Sequence, residues 1–99
     1  MEGTLRIKKL FIGQVQYATP RVFIPLIEET ASICEKAGRY TAFLHTLVIV
    51  DAAGIWVYPF GEGKSLERLV AQVPELDIVI NGAKEFVAGS GFLNFTRAG

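Results

Sequence analysis

The run Thr41-Ala42-Phe43-Leu44-His45-Thr46-Leu47-Val48-Ile49-Val50 constrains this chain more than any other segment. β-Branched and aromatic residues dominate it, and apolar side chains fall on both of its faces. Such a strand usually sits inside a sheet with cover on both sides. Asp51-Ala52-Ala53-Gly54 follows as a turn, with Gly54 free to take the positive φ that closes it. Ile55 to Tyr58 then returns as the partner strand, and Pro59 stops it. Residues 41–58 are therefore expected to form a hairpin at the centre of a sheet.

The flanking segments supply the rest of the expected fold. From Leu5 to Tyr17 apolar residues recur at odd positions, at Leu5, Ile7, Phe11, Val15 and Tyr17. That pattern suits one bent strand or two short ones, with Gly13 at the bend. Pro25 is favourable in the first turn of a helix and costly inside one. A helix is therefore expected over residues 25–37, with Leu26, Ile27, Thr30, Ile33, Cys34 and Ala37 as its apolar stripe. Gly38 would cap its end. Ser65 caps a second helix over residues 66–73, whose face carries Leu66, Leu69, Val70 and Val73. Asp77 to Ile80 reads as a short strand and Asn81-Gly82 as a hairpin turn, which makes 83–88 the return strand. A short helix over 83–88, capped by Asn81, is the competing reading. Phe92 to Phe95 reads as a final strand or tail.

The whole is a single compact α+β domain spanning residues 1–99, with an antiparallel or mixed sheet, a central hairpin and two main helices. The hairpin-between-helices order resembles that of small adaptor domains with two helices on one side of an antiparallel sheet. Leu47 to Gly54 carries that likeness, which is one of plan; Pro25 and the early strands depart from it.

Composition excludes several classes. The hydrophobic fraction is 51% and the charged fraction 20%, which argues against intrinsic disorder. Ten basic and ten acidic side chains cancel, so the chain as a whole has no pull toward nucleic acid or an anionic surface. Only a local patch of Arg6, Lys8, Lys9 and Arg21 offers a nucleic-acid reading. The one cysteine, Cys34, cannot form an internal disulfide and reads as a small buried hydrophobe. No signal peptide or membrane-length apolar run is visible, so a cytoplasmic location is the default expectation.

Chemistry-bearing motifs are few. Gly61-Glu62-Gly63-Lys64-Ser65 ends like a phosphate loop, but Tyr58 stands where the full pattern needs its first glycine. A weaker anion site remains, built from Gly63, Lys64 and Ser65 with the amides that follow. His45 is the only histidine, and no spacing supplies it with a metal-ligand set. His45, Trp56 and Tyr58 are read as ligand or interface candidates. No catalytic residue, metal or cofactor is assigned.

The leading expectation is a non-catalytic interaction or regulatory domain acting as a homodimer. Two helices of about three turns do not cover both faces of an apolar sheet, and a second copy can. The alternatives are an anionic-ligand binder or enzyme at the Gly61–Ser65 loop, and a weak nucleic-acid binder at the N-terminal basic residues.

Overall fold

A computed structural model describes residues 5–33, 37–61 and 63–98, with side chains through residue 89. It contains an antiparallel five-stranded sheet followed by two helices. The strands are β1 (Leu5–Ile12), β2 (Gln16–Ala18), β3 (Arg21–Ile33), β4 (Gly38–Asp51) and β5 (Gly54–Pro59). Their order is β1-β3-β4-β5, and β2 pairs with β3 beyond the end of β1. The helices are α1 (Leu66–Gln72) and α2 (Glu75–Ala98).

The α+β class is as expected, but the helix expected over residues 25–37 is not there. Residues 25–33 belong to β3, which pairs with β4 from Val22↔Val50 to Ile33↔Gly38. Cys34 lies outside the described residues. The apolar positions that suggested a helix also fit a strand with apolar groups on both faces, because Val22, Ile24 and Leu26 alternate with Phe23, Pro25 and Ile27. Pro25 is accommodated without loss of a bond to β4. Its carbonyl accepts from Gly13 N–H at 2.8 Å, so its missing donor faces the same side. That side holds the break between β1 and β2, where no regular ladder runs. Gly13 fits there because a Cβ would lie 3.0 Å from Ile27 Cγ1. Of the hairpin expected over 41–58, Thr46 to Asp51 pairs with Gly54 to Pro59; it is not central, because β5 is an edge strand and the innermost pair is β3–β4.

The second correction concerns the C-terminal third. Residues 77–80 and 92–95 lie in α2 rather than in strands, and 83–88 is helical as in its competing reading, but as part of α2 rather than as a short helix capped by Asn81. Leu76, Ile80, Ala83 and Val87 are buried at helical spacing. Asn81-Gly82, a turn signal taken alone, is carried inside the helix because that stripe has a sheet to pack on. α1 matches its expected span, and Ser65 Oγ accepts from Arg68 N–H at 3.3 Å as its cap.

The core lies between the helices and one face of the sheet. Val22, Ile24, Leu26, Val48 and Val50 meet Leu69, Val73, Leu76, Ile80, Ala83 and Val87. Tyr17 of β2 adds an edge-on contact to Phe86 at 5.0 Å. The molecule is long, at 70 × 22 × 20 Å, with a radius of gyration of 17.7 Å. A compact chain of this length has a radius near 13 Å. The far half of the β1–β3–β4 ladder forms an arm beyond the helical cover.

Leu69 is fully buried against this core, whereas Ile78 is 73% exposed on α2. Leu69→Ala is expected to lower unfolding free energy by about 2–5 kcal/mol. Ile78→Ala is expected to change it by less than about 0.5 kcal/mol. Urea denaturation of both variants at one protein concentration checks the pair.

Candidate functional site

The register of the sheet sorts its side chains into cross-strand rows on two faces. On the helix face the rows begin apolar, with Val22–Val50–Ile55 and Ile24–Val48–Val57. Ile12–Leu26–Thr46–Pro59 is the last row of this kind. Polarity then changes. Leu10–Glu28–Phe43 is followed by Lys8–Thr30–Thr41 and Arg6–Ser32–Arg39. The change coincides with the end of the core. On this face the sequence is apolar where helices cover it and polar along the arm.

Among the described residues no helix lies on the other face, which stays apolar along most of its length. Its rows are Phe23–Ile49–Trp56, Pro25–Leu47–Tyr58 and Phe11–Ile27–Leu44, and further out Ile7–Ala31–Tyr40. Leu5 opposite Ile33 ends the series. Trp56 and Tyr58 are about half exposed, as are Ile7 and Ile33. The charges on this face occur in opposite pairs. Lys9 stands across from Glu29, and Arg21 Nε lies 3.5 Å from Asp51 Oδ2. Glu29 also accepts a hydrogen bond from the Tyr40 hydroxyl, and that bond is the main reason the Tyr40 pKa is raised.

The polarity switch is marked by a bulge. Leu26 pairs with Thr46 and Ile27 with Leu44, which leaves His45 as the extra residue of β4. His45 and Thr46 are both buried. His45 Nδ1 lies 2.7 Å from Thr46 Oγ1, and Nε2 lies 3.8 Å from Glu28 Oε1. Glu28 Oε2 is in turn 3.4 Å from Lys8 Nζ. His45 thus serves as a packed polar link at the edge of the core. It stands apart from Trp56 and Tyr58, which occupy the opposite face.

In the Gly61–Ser65 connector, of which Glu62 lies outside the described residues, the Lys64 and Ser65 side chains both bond within the fold. Lys64 Nζ donates to Gln72 Oε1 at 2.7 Å, and Gly63 packs against Pro59. α1 has only seven residues. The four basic residues read together from sequence are dispersed. Arg6 and Lys8 face the helix side, Lys9 the open side, and Arg21 lies near the β4–β5 turn beside Asp51. Arg39, which sequence reading passed over, joins Arg6 and Lys8 in one groove. Nothing local marks it; its place follows from the β3–β4 register.

Among the described residues no group of three or more His, Cys, Asp or Glu side chains could hold a metal ion. Among the described residues no helix is long and apolar enough to cross a membrane. No protein-family model, curated protein or solved structure matches the chain.

The β4–β5 turn closes on one carboxylate. Asp51 Oδ1 accepts from Ala53 N–H at 2.9 Å, Gly54 N–H at 3.1 Å and Trp56 Nε1–H at 3.4 Å. Desolvation opposes ionisation of Asp51, but these bonds, led by that from Ala53, and Arg21 outweigh it and lower its pKa. Its stabilisation is therefore complete above the unfolded-chain value and is lost as pH falls through the lower folded-state value. Asp51→Asn is expected to flatten the loss of stability in acid, read as the midpoint of thermal unfolding across a pH series. Gly54 has φ +152°, a conformation that L side chains rarely adopt, so Gly54→Ala is expected to cost about 1–3 kcal/mol at every pH.

Proposed function

We propose that this protein is a non-catalytic interaction domain that works as a homodimer, with two copies packed through the open faces of their sheets. The observation that carries this reading is the contrast between the two faces. Where the helix face lacks cover, its residues are mostly polar, with Phe43 an exposed apolar side chain at the transition. The open face lacks cover and is apolar. Water exposure alone does not account for that difference, since both arm surfaces share it.

Size and charge favour a second copy as the occupant. β3 has 13 residues and so runs about 43 Å, and three strands abreast, each about 4.8 Å wide, cover a width of about 14 Å. The resulting footprint is roughly 600 Å² per copy, which places two facing copies at the lower end of stable interfaces, near 1,200 Å² in total. The charges on the face are paired, so the surface does not repel itself. Face-to-face packing of two twisted sheets is an established way to bury such surfaces. Trp56 and Tyr58 then become interface anchors rather than walls of a ligand cleft.

Sedimentation velocity at tens of micromolar is expected to give a dimer of the 10.9 kDa chain. Ile49 lies mid-row between Phe23 and Trp56, so Ile49→Lys is expected to give a folded monomer with an unchanged far-ultraviolet spectrum. Trp56 emission should shift to the red in that variant. A wild-type chain that sediments as a monomer at tens of micromolar overturns the proposal.

A further inference from the structure

The arm carries a second surface, on the side away from the proposed dimer face. Arg6, Ser32 and Arg39 form one cross-strand row, and Lys8, Thr30 and Thr41 form the next. All six line a groove of about 690 Å³. Two interstrand spacings separate the arginine backbones, about 10 Å, with the Ser32 hydroxyl between them. Among the described residues Glu28 is the carboxylate of the groove, and it already lies between Lys8 and His45. Arg6 and Arg39 have no carboxylate partner among the described residues.

We propose that this groove binds a small soluble compound bearing two or more phosphate groups. Guanidinium groups present planar forks of donors that suit phosphate oxygens, and two of them flanking a hydroxyl can hold one phosphate from both sides. Lys8 and the Thr30 and Thr41 hydroxyls, one row along, supply donors for a second. An anion placed between the two arginines replaces their mutual repulsion with two attractions. Among the described residues the cations do not continue as a stripe. Leu10, Glu28 and Phe43 make up the next row, Lys9 faces the opposite side, and Arg21 lies at the other end of the sheet. Among the described residues the positive surface is therefore short, which fits a compact polyphosphate rather than a nucleic-acid strand, whose backbone needs a continued basic track.

Titration of the full chain with inorganic pyrophosphate, followed by backbone amide resonances, tests this. Shifts are expected at Arg6, Thr30, Ser32, Arg39 and Thr41, in wild type and in the Ile49→Lys variant alike. Arg39→Gln is expected to weaken binding about tenfold or more, and Arg6→Gln/Arg39→Gln to abolish it. Arg68→Gln, on an exposed part of α1, serves as the charge control and should bind like wild type. Absence of saturable shifts at millimolar pyrophosphate overturns the proposal, as do shifts that persist in the double variant. Binding of a single-stranded oligodeoxynucleotide without binding of pyrophosphate also overturns it, in favour of a nucleic-acid surface. Because the groove and the dimer face lie on opposite sides of the sheet, failure of one test leaves the other reading standing.

Discussion

The pairing of β3 with β4 is the interaction on which the rest of the structure depends. It runs for twelve residue pairs, from Val22↔Val50 to Ile33↔Gly38, and every other strand attaches to one of these two. It carries the near half of the sheet, where the helices dock, and the arm, which has no helical cover. Pairing of this length is possible because Pro25 directs its missing donor away from β4 and because one bulge absorbs the extra residue, His45. A longer break in the ladder would have left buried backbone groups without partners.

That ladder also assigns each side chain to a face, and the two faces are composed differently. On the helix side, Leu69, Leu76, Ile80 and Val87 cover the apolar rows, and beyond them the surface turns to arginine, lysine, serine and threonine. Glu28, His45 and Lys8 stand at the transition, where the buried imidazole meets both a hydroxyl and a carboxylate. On the open side no such transition occurs. An apolar sheet face without a layer over it is incomplete as a packing arrangement, since a sheet is normally stabilised by burial of such a face. The dimer proposal follows from that incompleteness, and the phosphate proposal from the polar end of the opposite face.

Part of the candidate surface was legible in the sequence. Trp56 and Tyr58 share strand parity, so their common face could be read directly. The shortage of helical cover was read by counting residues 25–37 as a helix, and residues 25–33 proved to be strand. Arg6 and Lys8 likewise share parity. Their grouping with Lys9 and Arg21 did not survive, because alternation along β1 sends Lys9 to the other face and Arg21 meets Asp51 at the far end of β3. Arg39 joins Arg6 only through Ser32, a relation between residues on three strands. No local pattern encodes it.

What the sequence determined by itself is what depends on neighbours in the chain. Asp51 and Gly54 close the β4–β5 turn through bonds spanning two and three residues, and Ser65 caps α1 through a bond spanning three. Tertiary structure decided the segments whose patterns fit two states. Residues 25–33 have apolar positions compatible with a helical stripe and with a two-sided strand, and β4 settled them as strand by supplying a ladder partner. Residues 75–89 hold a turn signal at Asn81-Gly82 within the stripe Leu76, Ile80, Ala83 and Val87, and the covered face of the sheet settled them as helix by burying that stripe. The physical reason is the same in both cases. Local propensities differ by about 1 kcal/mol or less per residue, while burying one large apolar side chain contributes about 1.5–3 kcal/mol, so the partner surface decides wherever local signals conflict.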